Sequence, residues 1–178
     1  MTSGLAVIAY PTFSESDRAR IQSVREQHDP QFGLLDPHFT FVFPVEAPLA
    51  DVVADSTVVA DSSIAFPFVL SSVRAVKDVF GVGGHVFLVA QHGADQVVAL
   101  HSRLYGGTLR WAHRADISYV PHITVAASVD FSHCEKLAQQ LEDGLVATAG
   151  LIEALTIVEV VGGTVRTVST LRLKGRTG

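Results

Sequence analysis

Pro37-His38-Phe39-Thr40-Phe41-Val42-Phe43-Pro44 and Pro121-His122-Ile123-Thr124-Val125-Ala126 are one pattern written twice: proline, histidine, an apolar residue, threonine, then more apolar residues. Both stretches are short and apolar-rich, and proline bounds the first on both sides, so each predicts a strand. Side chains of a strand alternate between its faces. His38, Thr40 and Val42 are therefore assigned to one face and Phe39, Phe41 and Phe43 to the other, the core. By the same parity His122, Thr124 and Ala126 oppose Ile123, Val125 and Ala127. Each strand offers one imidazole and one hydroxyl on the side that its bulk avoids.

The surrounding sequence supplies the rest of two lobes. Leu5 to Tyr10, stopped by Pro11, predicts a buried strand. Ser14 with Asp17 marks a helix start, and Ile21, Val24 and His28 recur at helical spacing until Asp29-Pro30. After Pro48, Leu49, Val52, Val53 and Ser56 predict a second helix, and Ile64 to Val76 a strand that Pro67 would confine to a sheet edge. Phe80 to Gly84 turns the chain into the strand Val86 to Ala90. A third helix follows from Val97, Leu100, His101 and Leu104, with Gly106-Gly107 as its stop. A fourth starts at Ser132 with Glu135 as a capping box and lines up Cys134, Leu137, Ala138, Leu141 and Leu145. Leu155 to Val161 and Val165 to Leu173 close the chain as a hairpin turned by Gly162-Gly163. This order predicts an α+β fold spanning 1–178 as a single bilobal domain, with two antiparallel-sheet lobes related by a pseudo-two-fold axis, helices outside and a cleft between.

Composition narrows the function classes. The 178 residues are 48% hydrophobic, enough for a sizeable core. With 13 basic against 18 acidic residues the net charge is −5, which disfavours gripping an extended duplex and leaves a nucleotide or RNA end as the expected substrate partner. One cysteine, Cys134, cannot form an intramolecular disulfide. No apolar run is long enough to span a membrane, and the N-terminus lacks a basic leader, so a cytoplasmic monomer without membrane attachment is expected.

Two imidazoles and two hydroxyls brought to one place suit displacement at a phosphodiester. A base must take a proton from the attacking oxygen and an acid must protonate the departing one, roughly in line across phosphorus. Histidine serves both roles because its ordinary pKa is about 6.5. Threonine hydroxyls can donate to the non-bridging oxygens. His38, Thr40, His122 and Thr124 are thus the candidate catalytic residues, with no metal and no cofactor required.

The paired His-x-Thr motifs, each preceded by proline and placed in the two halves of the chain, resemble the two-histidine (2H) phosphoesterase superfamily, and among its branches the one named for 2′-5′ RNA ligases. The run His38-Phe39-Thr40-Phe41-Val42-Phe43-Pro44 carries that branch's aromatic and proline after the motif. The resemblance implies chemistry on 2′,3′-cyclic phosphates, 2′-5′ linkages or related nucleotide phosphodiesters. Hydrolysis and 2′-5′ RNA ligation are both open, since one acid-base pair serves both directions. A non-catalytic module that binds nucleotides or RNA ends is the competing class, and a structural domain with accidental motifs is a third.

Other residues carry weaker signals. Tyr10, Arg114 and Tyr119 are candidate substrate contacts, as is Trp111, able to stack on a base or touch phosphate. His28, His85, His92, His101, His113 and His133 show no metal-site spacing and are assigned to surface or loops. Asp36, two residues before His38, is a weak candidate to orient its ring. Gly81-Val82-Gly83-Gly84 reads as a hairpin rather than a phosphate loop, and Cys134 beside His133 as a core residue.

Overall fold

Each of the repeated stretches forms the outermost strand of its own sheet. In a computed structural model that describes residues 4–79 and 81–175, the elements in chain order are β1 (Gly4–Ala9), β2 (Thr12–Phe13), α1 (Glu15–His28), β3 (Phe39–Val45), α2 (Leu49–Asp61), β4 (Phe66–Lys77), β5 (Gly84–His92), α3 (Ala94–Leu104), a 3-10 turn at Thr108–Ala112, β6 (His122–Ser128), α4 (Phe131–Asp143), β7 (Thr148–Ile152), β8 (Ala154–Val161) and β9 (Thr164–Arg172). One sheet has the order β3-β1-β8-β9 and the other β2-β7-β4-β5-β6, with all pairings antiparallel. The α+β fold of two antiparallel sheets is therefore the observed one.

The two halves repeat in geometry as well as in sequence. β1-α1-β3 matches β5-α3-β6, and in each the first and last strands pair. Both ladders are interrupted at the same offset from histidine. Pairing steps from Ile8↔Thr40 to Val7↔Val42, leaving out Phe41, and from Phe87↔Thr124 to Val86↔Ala126, leaving out Val125. An unpaired extra residue of this kind is a β-bulge, which bends the strand and re-aims its side chains. The helices are exchanged between halves, since α1 packs on β6 and α3 on β3. Phe39 of β3 meets Phe68 of β4 edge to face at 4.9 Å, which ties the two sheets directly.

Several expectations are corrected. The bulge at Phe41 breaks strict alternation, so Val42 is buried and Phe43 is 38% exposed instead of in the core. His38 lies just before β3 rather than within it. β4 is interior, between β7 and β5, despite Pro67; pairing with β5 begins only at Val69, so the missing N–H at Pro67 interrupts no ladder bond there. The cap of α4 is Asp130, whose carboxylate accepts from the Ser132 N–H at 2.9 Å, in place of a Ser132 box. β2 and β7 were not foreseen. At Gly150 of β7 the Phe68 ring lies 2.5 Å from where a Cβ would stand, so the strand needs glycine for that close approach. Gly162 and Gly163 turn the last hairpin with φ of +57° and +82°, as a two-residue loop requires. Phe80 lies outside the described residues.

Candidate active site

Both motif histidines are fixed by the same bond. His38 Nδ1 lies 2.8 Å from the carbonyl oxygen of Asp36, and His122 Nδ1 lies 2.6 Å from that of Val120. A carbonyl only accepts, so each neutral ring carries its proton on Nδ1 and leaves Nε2 as the atom that can take or give one. The intervening prolines, Pro37 and Pro121, hold the preceding residue extended, which is the backbone form that brings this carbonyl back to the ring. Asp36 thus acts on His38 through its backbone. Its carboxylate is held by Arg18 at 2.9 Å and by the Gln22 amide at 3.1 Å, both on α1.

Thr40 and Thr124 are half-buried, each two residues beyond its histidine, and among the described residues neither hydroxyl has a partner within the protein. Strands β3 and β6 are packed together, and Tyr119, three residues before His122, donates to the Thr40 carbonyl at 2.9 Å. The two strands that carry the motifs therefore meet along their sheet edges. His122 feels the charge of His38, which helps to lower its pKa.

Burial moves both rings in the same direction. Burial, the dominant cause, pushes the His122 imidazole down to about 4, opposed by its bond to Val120, with further lowering from His38 and His85. Its ring is stacked on Phe87 at 3.5 Å with 19° between planes. Burial also lowers the His38 pKa, offset in part by the Asp36 carbonyl. The ring of His38 meets Tyr10 edge-on at 6.2 Å.

An aromatic brace behind β3 was not foreseen. His101, assigned from sequence to the surface, is 7% exposed, and its Nδ1 bonds the Phe41 carbonyl at 2.8 Å, within the bulge. Tyr119 stacks on His101 at 3.7 Å, and the Tyr105 hydroxyl accepts from the Phe43 N–H at 3.2 Å. Three backbone groups of the free edge of β3 are thus satisfied by side chains of the other half. The available signal was position: His101 shares the apolar stripe of Val97, Leu100 and Leu104. Arg25, fully buried, pairs with Asp29 at 2.8 Å and donates to the Leu35 carbonyl at 2.7 Å, holding the segment that leads to Asp36.

Tyr10 is half-buried beside His38, and desolvation raises its phenol pKa. Burial drives the Tyr119 phenol well above its usual range, in keeping with its use on Thr40. Arg114 is exposed and grips Asp116 through two bonds of 2.8 and 2.6 Å. Trp111 is 68% exposed. Among the described residues no group of three or more His, Cys, Asp or Glu is placed to hold a metal ion, and no helix is long and apolar enough to cross a membrane.

The family model described as the 2′-5′ RNA ligase superfamily matches residues 13–164. The chain belongs to this superfamily. Its relatives in sequence include two proteins provisionally named phosphoesterases. One, from Bacillus pumilus, is 28% identical over 135 residues, covering 74% of each chain. The other, from Bacillus cytotoxicus, is 24% identical over 139 residues, covering 76% of each. Solved structures with the same fold include E. coli LigT complexed with 3′-AMP (TM-score 0.60, 16% identity, 96% of this chain and 98% of that one). TT0787 of Thermus thermophilus matches at TM-score 0.63 and 17% identity over 97% of this chain and 99% of its own. Kluyveromyces marxianus Usb1 matches at 0.56 and 12% over the same shares. The superfamily match encloses both His-x-Thr motifs.

Proposed function

We propose that the protein is a phosphodiesterase acting on 2′,3′-cyclic phosphate, 2′-5′-linked or related nucleotide and RNA-end phosphodiesters, by acid-base catalysis from His38 and His122. The observation that carries this reading is the matched pair of Nδ1–carbonyl bonds, which leaves two Nε2 atoms for proton transfer on strands that meet at one place. Structural relatives support a nucleotide substrate, since E. coli LigT has been crystallised with 3′-AMP, ATP and NADP+.

In the proposed reaction His122 is assigned as the base, and its neutral ring accepts a proton from water through Nε2 as the water oxygen bonds to phosphorus. The bond from phosphorus to the departing ribose oxygen breaks, and protonated His38 returns a proton to that oxygen. One water is consumed and the proton count closes. Bound phosphate favours the charged form of the nearby His38 and so opposes the effect of its burial. Thr40 and Thr124 donate to the non-bridging oxygens, with no metal or cofactor taking part. The test is turnover of purified protein against a panel of 2′,3′-cyclic and 2′-5′-linked nucleotides, identifying the phosphate isomer of each product. Silence across the panel together with tight nucleotide binding would replace this reading with that of a binding module.

A further inference from the structure

The two sheets flank the site unequally. On the β3 side, the cross-strand row through the motif threonine runs Thr40, Ile8, Thr156, and the last two are 2% and 4% exposed. Leu35 packs over Ile8, Ala6 and Val158 and closes that face. On the β6 side the equivalent row runs Thr124, Phe87, Arg74. Directly paired residues share a face of the sheet, so Arg74 stands on the face that bears Thr124 and His122. The opposite face holds Val73, Val86 and Leu88, packed in the core under α4.

Arg74 is exposed, and among the described residues it makes no hydrogen bond or ion pair. Two strand spacings, roughly 10 Å, separate its backbone from that of Thr124. Between them lies the half-buried ring of Phe87, stacked on His122 at 3.5 Å and nearly parallel to the His85 ring at 5.9 Å. The nearby carboxylate of Asp78 is 3.8 Å from His85 Nε2, and His85 stands in the row beyond Arg74, opposite Val76. An unpaired guanidinium on an apolar-floored surface beside a phosphate site is suited to a second phosphate, because its fork of donors matches phosphate oxygens. Its counterpart in the other half, Thr156, is neutral and buried.

We propose that Arg74, with Phe87 as the floor beneath the intervening sugar, binds a second phosphate of the substrate. The preferred substrate class is then a nucleotide or oligonucleotide end that carries a further phosphate beyond the reacting one, laid across β5 and β4. This rests on the reading of His38 and His122 as the site of the reacting phosphate.

Calorimetry with nucleoside 3′,5′-bisphosphate and nucleoside 3′-monophosphate tests it without turnover. Wild-type protein is expected to bind the bisphosphate about tenfold more tightly, with the preference shrinking as salt is raised. Arg74→Ala should remove the preference by weakening the bisphosphate alone, and Arg74→Lys should restore part of it. Arg166→Ala, a remote exposed cation paired with Glu159, should leave it intact. Equal binding of both ligands by wild type, equal weakening of both by Arg74→Ala, or no binding of either would overturn the proposal. A bisphosphate preference that depends on Arg74 in a protein with no turnover would keep this subsite and sink the catalytic reading. Turnover without the preference would do the reverse.

Discussion

Around His38 the neighbouring sheet face is roofed, whereas around His122 it lies open. Both rings take the same bond from the carbonyl two residues back, and both strands bulge three residues beyond the histidine. Yet His38 meets a single tyrosine edge, and its flank is sealed by Leu35, while His122 lies flat on Phe87 beside an exposed arginine. A repeated half can thus preserve one side-chain arrangement while the two flanks diverge, one toward support and the other toward contact with solvent.

Replacing each histidine in turn tests whether the shared bond means shared work. His38→Ala and His122→Ala are each expected to lower kcat by roughly 10² to 10⁴, measured where the chemical step limits the rate and with circular dichroism showing an intact fold. Near-normal turnover in either variant would break the pairing.

The burial of both rings should then appear in the pH profile. Below about 4 His122 is protonated and unable to act as base, so the acid limb of kcat/KM is expected near that value. His38 must be protonated to act as acid, and its lowered pKa places the alkaline limb of kcat/KM below the usual histidine value of about 6.5. Phe87→Ala uncovers His122 and should move the acid limb upward. A profile flat between pH 4 and 8 would count against both rings as proton carriers.

Smaller effects separate the hydroxyls from the rings. Thr40→Val and Thr124→Val each remove one of the proposed donors to the phosphate oxygens and are expected to lower kcat by about 10- to 100-fold. A loss as large as that of the histidine variants would point to a different catalytic group. Tyr119→Phe deletes the bond between the halves at Thr40 and should cost about 1–3 kcal/mol in urea unfolding, because a part-buried carbonyl is left unsatisfied. An unchanged midpoint would show that the brace is dispensable. The smallest expected effect is that of strong chelators, which should leave turnover unchanged; loss of activity restored by one divalent ion would refute a metal-independent reaction.

Much of this was legible beforehand. The repeated Pro-His-x-Thr-x-x pattern located two strands and their polar faces, and helical spacing found all four helices. What escaped detection was set by tertiary contacts. Phe43 and Val42 exchanged places because a bulge is invisible to strict alternation. β7 is only five residues long and carries Gly150, which makes room for Phe68. His101 resembled any other histidine until its backbone partner, 60 residues earlier in the chain, was known. Arg74 had a signal in the alternation Ser72, Arg74, Val76, but only the register with β5 and β6 set it in line with Thr124.

β3 and β6 both lie at sheet margins, and a bare margin invites a strand from another molecule. Along β3 the exposed bonding groups at Thr40, Phe41 and Phe43 are taken by Tyr119, His101 and Tyr105. The same side chains that steady the motif therefore deny a template to a second copy of the chain. Loosening them would be felt first as a tendency to self-associate at high concentration.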